Sequence, residues 1–152
     1  MTLILNTSDA PFDLGKLDFS TTTCLVYSEN VVVSNPIHLP GKNLGIFCTV
    51  LEVVTTQKKP TILIDVSGAN GVSPEAKASG DGIPGPDGRA GGNIWIFVEG
   101  LTDKILKTLR LNANGGDGAI GGSTSDPIAA GGAGGQGGDA GESIITPRYI
   151  LT

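Results

Sequence analysis

Residues 131–141 read Gly-Gly-Ala-Gly-Gly-Gln-Gly-Gly-Asp-Ala-Gly, and glycine recurs there in threes. One series is Gly131, Gly134 and Gly137; a second is Gly132, Gly135, Gly138 and Gly141. A period of three belongs to an extended polyproline-II-type helix, with about three residues per turn and ~3.1 Å rise. Two faces of such a helix carry only hydrogens, and the third shows Ala133, Gln136 and Asp139. It has no internal hydrogen bonds, so its backbone groups need partners in neighbouring helices. A flexible glycine-rich linker, by contrast, needs no triplet register and is usually rich in serine.

The chain supplies such neighbours. Gly115, Gly118 and Gly121 repeat in threes, as do Gly82, Gly85, Gly88 and Gly91 in Gly-Ile-Pro-Gly-Pro-Asp-Gly-Arg-Ala-Gly. Glycine makes up 24 of 152 residues, about twice average usage. The spacing predicts a small bundle of polyglycine-II-like helices, packed within one chain or between chains.

Elsewhere short apolar, β-branched runs alternate with turn residues: 24–27, 31–33, 36–39, 44–47, 50–54 and 61–66. Residues 25–27 match 45–47 at an offset of 20, and 31–33 roughly match 51–53 at the same offset. Asn43-Leu-Gly-Ile-Phe has a counterpart in Asn93-Ile-Trp-Ile-Phe, 50 residues on, and Ser143-Ile-Ile falls a further 50 along. Residues 64–71 resemble 109–116 at an offset of 45. Three short strands in about twenty residues predict an all-β fold, a short parallel β-solenoid. Two glycine-rich hairpins, 69–92 and 115–141, project from it to form the bundle. The chain reads as a single domain over 1–152, with an N-terminal cap and strand at 1–21. Solenoid strands follow in 22–68, 93–114 and 142–152. Phe12, Leu14, Leu17 and Phe19 turn inward in the cap. The outward arm of the first hairpin, 72–79, lacks the glycine triplet.

The net charge is −5 and the only basic pair is Lys58-Lys59, which argues against nucleic acid and anionic membrane as partners. No apolar run reaches the roughly 20 residues of a membrane span, and no secretory signal is visible. Synthesis in a cytoplasm follows, with export to an extracellular or virion surface only by a signal-independent route. Cys24 and Cys48 sit in apolar runs and read as buried free thiols, a disulfide being the alternative.

Motifs of site chemistry fail on context. Gly80-Asp-Gly-Ile-Pro-Gly85 has dinucleotide-loop spacing, but Pro84 and Pro86 forbid the helix that must follow. Gly134-Gly-Gln-Gly-Gly-Asp139 matches the start of a calcium nonapeptide without its apolar residue or its tandem copies. No metal site and no cofactor is expected. Asp65 and Glu52 are the only weak candidates for two-carboxylate glycan cleavage. His38, the single histidine, reads as an outward strand residue.

The triplet arms resemble the polyglycine-II sandwich of certain phage tail-fibre adhesins and other glycine-rich extracellular domains. The flanking repeats look like a right-handed parallel β-helix. The resemblance implies recognition through the loops at the arm tips, here Ser123, Thr124, Ser125, Asp126 and Pro127, with 73–79 as a second loop. The expected function is non-enzymatic: a structural or adhesive module that assembles with itself into a fibre or surface structure. Its strand ends, Leu3, Ile4 and Leu5 with Tyr149, Ile150 and Leu151, would make the contacts. The alternatives are a tip that binds a glycan or cell-surface receptor, and a glycan-cleaving β-helix enzyme.

Overall fold

Period-two alternation turns the aliphatic runs into strands, and all the named strand pairs are parallel. The structure, a computed structural model, describes residues 1–7, 11–17 and 20–151. The larger sheet contains β1 (Thr2–Thr7), β3 (Thr23–Val33), β5 (Asn43–Val53), β7 (Ile94–Thr102) and β9 (Ser143–Leu151) in the order β1-β3-β5-β7-β9. The two-residue β2 (Phe12–Asp13) joins β3 beside β1. The smaller sheet is β4 (Ile37–His38), β6 (Ile62–Asp65) and β8 (Leu109–Asn112), in that order. β3, β5 and β7 are each followed in the chain by one strand of the smaller sheet.

Stacking in parallel lines up equivalent residues in columns. Leu5, Val26, Ile46, Ile96 and Ile145 form one inward column; Leu3, Cys24, Leu44 and Ile94 form the next. Val26, Ile46, Ile96, Cys24, Leu44 and Ile94 are wholly buried, and they share one core with Ile62, Ile64 and Val66. Burying each aliphatic side chain contributes about 1.5–3 kcal/mol. Leu14 is fully buried at the N-terminal end, with Phe12 and Leu17 packed against the core. Phe19 lies outside the described residues. At the strand entrances the Asn43 side-chain carbonyl accepts the Asn93 N–H at 2.9 Å, and the Asn93 carbonyl accepts the Glu142 N–H at 2.8 Å. These asparagines hold successive layers in register.

Four glycine-rich stretches leave β6 and β8 and return to β7 and β9. Their residues are 67–79, 80–92, 113–122 and 131–142, and their backbone bonds fall at every third residue. The first runs parallel to the third, Gly68 and Gly71 donating to Asn114 and Asp117 carbonyls. The second runs parallel to the fourth: Gly82, Gly85, Gly88 and Gly91 donate to Ala130, Ala133, Gln136 and Asp139. The second and third are antiparallel, through Gly116, Ala119 and Gly122 donating to Arg89, Pro86 and Ile83. The third and fourth are antiparallel too, with Gly132, Gly135, Gly138 and Gly141 donating to Gly122, Ala119, Gly116 and Ala113 at 2.7–2.9 Å. Arg89 and Gly92 tie the second stretch back to Ala69 and Val66.

Room, rather than backbone conformation, selects most of these glycines. Gly80, in the turn between the first two stretches, has φ +71°, and the positive-φ residues end with Gly41 at +67° among those described. A Cβ at Gly85, Gly88, Gly118 or Gly138 would overlap a carbonyl oxygen of the neighbouring stretch.

Several expectations are corrected. β7 and β9 pair at an offset of 49, not 50, so that Glu142 rather than Ser143 stands opposite Asn93. β6 and β8 pair at 47, not 45, because Asn112 then bonds Asp65 and Asn70 bonds Asp117. Runs 24–27 and 31–33 form one bent strand rather than two, as do 44–47 and 50–53. Within 93–114 lies a helix, α1 (Asp103–Thr108), started by the Thr102 hydroxyl accepting the Ile105 N–H at 3.4 Å and anchored by buried Ile105. The outward arm 72–79 has no glycine at the triplet positions, held there by Pro74 and Lys77, yet the spacing of bonds set by Gly68 and Gly71 is kept, with the Lys77 N–H donating to the Ser123 carbonyl. Of the two glycine faces of 131–141, only that of Gly132, Gly135, Gly138 and Gly141 is closely packed. A Cβ at Gly131, Gly134 or Gly137 would meet nothing nearer than 3.7 Å.

Candidate functional site

β1 and β9 each have a neighbour on one side only. In β1, Leu3 and Leu5 pack against the core while Ile4 is 63% exposed. In β9, Tyr149 and Ile150 pair with Gly100 and Leu101 and are 49% and 61% exposed. Leu151 closes the strand opposite Thr102. Pro147 sits within β9, a position that an edge strand tolerates because one side needs no N–H.

The arm tips are tied to one another. The Thr124 hydroxyl donates to the Gly80 carbonyl at 2.7 Å, and the Asp126 carboxylate accepts the Gly80 N–H at 3.1 Å and the Ile128 N–H at 3.2 Å. These two backbone bonds, Gly80 first, hold the Asp126 carboxyl below its ordinary range. Lys77 pairs with this loop through Ser123 and Ser125 backbone groups at 3.0 Å. Ser123, Ser125 and Pro127 are exposed. The polar atoms of Thr124 and Asp126 therefore clasp the turn of the first hairpin.

Asp65 and Glu52 lie on different sheets, in β6 and β5, and the structure does not bring them together. Asp65 instead meets His38, its partner across the β4–β6 ladder, with Nδ1 and Oδ2 3.0 Å apart. Its other oxygen accepts the Ser67 N–H and the Asn112 amide at 3.0 Å each. Partial burial pushes the Asp65 carboxyl up, but bonds from the Ser67 hydroxyl and N–H and from His38 outweigh it and hold it low. Cys24 and Cys48 are free and buried, and burial pushes the Cys48 thiol up to about 12. Among the described residues, no three His, Cys, Asp or Glu side chains gather as metal ligands.

A further site escaped the sequence reading. On the outer face of the larger sheet, Tyr27 stacks on Phe47 with centroids 4.5 Å apart, and Phe47 on Phe97 at 5.0 Å. They share one column, in which Thr146 follows on β9. Next along the strands run Ser28, Cys48, Val98 and Pro147, and then Glu29, Thr49, Glu99 and Arg148. The strands bend here: two successive residues lie outside between buried Ser28 and Val31, Cys48 and Leu51, Val98 and Leu101. The bend opens a groove of about 530 Å³ lined by these columns except for Tyr27. The 20- and 50-residue repeats already aligned the three rings; the bend was what the sequence did not disclose.

The fold defines an all-β protein of two parallel sheets around a shared core. Parallel sheets ordinarily carry helices on their faces; here the helical contribution is small and loops make the crossovers. No protein-family model matches the chain, and no match was found among curated proteins or solved structures.

Proposed function

We propose that the chain is a short parallel β-solenoid whose four glycine-rich stretches form a polyglycine-II-like bundle. In this reading it is a non-enzymatic structural or adhesive module that assembles with itself end to end. The solenoid reading is supported by the way β3–β4, β5–β6 and β7–β8 each contribute one strand to each sheet in the same order. The triplet hydrogen bonds and the carbonyl oxygens crowding the glycines support the bundle.

One observation carries the assembly: β1 and β9 are opposite edges of one sheet and point the same way. The β9 of one copy can accept the β1 of the next in the same parallel sense, with Ile4, Tyr149 and Ile150 removed from water. Such a contact joins two different surfaces, so it does not close on itself and repeats into a filament.

The test is electron microscopy and light scattering on the wild type and on an Ile4→Lys, Ile150→Lys double variant. Charged edge residues oppose strand addition. Fibres or growing oligomers in the wild type, lost in the variant with an unchanged melting transition, are expected. A wild type that stays monomeric at its solubility limit overturns the reading, as does a variant that still assembles.

A further inference from the structure

The groove on the outer face reaches the edge strand β9 but is lined by residues other than Ile4, Tyr149 and Ile150. It crosses β3, β5, β7 and β9 at right angles, so with strands ~4.8 Å apart it runs for about 14 Å. One wall is Phe47, Phe97 and Thr146 and the opposite wall is Glu29, Thr49, Glu99 and Arg148. The floor between them is the column from Ser28 to Pro147. A volume of about 530 Å³ is within the usual range of ligand sites.

The ring stack stops one strand short. Phe47 covers one face of Phe97, and on the other side the next strand presents Thr146 instead of a ring. Phe97 is accordingly 41% exposed. A flat ring with an apolar face fits that place.

The groove runs across the ladders of β3, β5, β7 and β9, not along the one free edge among them, that of β9, so it does not present a ladder for a peptide strand to extend. A ligand lying across them is recognised by side chains alone. The polar wall supplies acceptors at Glu29 and Glu99 and donors at Thr49 and Arg148; Arg148 lies 3.8 Å from Glu99, with its side chain 76% exposed. Two carboxylates and one guanidinium leave this wall net negative, and the chain as a whole carries −5. That field repels polyanions. A pyranose chain has what remains: apolar C–H faces for the rings, hydroxyls for both kinds of polar group, and no charge.

We propose that this groove binds a neutral oligosaccharide laid across the four strands, with one sugar ring stacked on the free face of Phe97.

Trp95, the single tryptophan, lies two residues before Phe97 on the same strand and reports on binding. The full chain is screened on an array of neutral gluco-, galacto-, manno- and N-acetylhexosamine oligosaccharides, and hits are titrated by Trp95 fluorescence and amide chemical shifts. Polygalacturonate serves as the anionic probe. Saturable binding of a neutral oligosaccharide is expected, weakened about tenfold or more by Phe97→Ala and by Arg148→Ala. Arg148→Ala changes an exposed side chain and keeps the test valid where Phe97→Ala does not fold. Lys58→Ala, an exposed turn residue that does not line the groove, leaves the affinity unchanged. Any one of three results overturns the proposal: no neutral glycan bound, binding that survives both groove variants, or tighter binding of polygalacturonate. None of these outcomes bears on end-to-end assembly.

Discussion

Gly135 and Pro86 approach so closely that a Cβ on Gly135 would overlap the Pro86 carbonyl oxygen. Gly134, one residue earlier in the same stretch, has only the Ala119 oxygen near, 3.7 Å from its would-be Cβ. The two glycines differ in what surrounds them, not in residue type or local sequence. Gly135→Ala is expected to destabilise by at least the ~1–3 kcal/mol of overpacking, because the obstacle is backbone. Gly134→Ala is expected to be neutral or stabilising by up to about 1 kcal/mol, since alanine restricts the unfolded chain. Denaturant melts of the two variants decide it. Equal effects would show that the stretches are not packed as described.

Asp87 ties the second glycine-rich stretch to the fourth from the side. Its carboxylate accepts the Gln136 N–H at 2.7 Å, while the next residue, Gly88, donates to the Gln136 carbonyl at 2.8 Å. Asp81 does the same for Ala130. Asp87→Ala is expected to cost about 1 kcal/mol and to speed exchange of the Gln136 amide hydrogen. Asp87→Asn, which keeps an acceptor oxygen, is expected to recover most of the protection. Unchanged exchange in the alanine variant counts against the bond.

Cys48 lies in the groove floor yet is only 9% exposed, and burial raises its thiol to about 12. Cys24 is wholly buried and shifted upward for the same reason. The thiolate is the reactive form. Both cysteines should therefore react slowly with iodoacetamide near pH 8 while the chain is folded, and fast in denaturant. Rapid labelling of the folded protein would refute this environment.

For Asp65 the direction of the shift sets the direction of the pH effect. Its folded-state pKa is below the ordinary 3.8, so the unfolded chain binds the proton more readily. The stabilisation is present above 3.8 and is lost as pH falls through the lower folded value. Wild type and Asp65→Asn should differ in melting temperature at pH 6 to 7, and the gap should narrow as the pH drops below about 4. A gap constant across that range would mean that the carboxylate charge is not what stabilises.

Much of this structure was legible along the chain. The 20-residue match of 25–27 with 45–47 holds as the β3–β5 register, and the 50-residue match of Asn43 with Asn93 holds as a hydrogen bond. Strand columns impose such matches, because inward positions must be apolar in every layer and Asn ladders need Asn in successive layers. The triplet spacing marked the stretches that pack on a neighbour, though not which of two glycine series does so in 131–141, since a carbonyl on the next stretch leaves no space for a Cβ.

Other features depended on tertiary structure. Offsets across the excursions came out at 49 and 47, because a projecting loop can gain or lose residues without disturbing the strands at its base. Two glycine series looked alike in 131–141, yet only one is packed, because the fourth stretch lies at the margin and has neighbours on one side. The bend that opens the groove, and the pairing of His38 with Asp65, join residues from different layers. Local sequence determined which residues point inward, through the period of two or three that the backbone imposes. Only the stacking of layers decided which outward residues met, because contacts between layers depend on how many residues each excursion takes up.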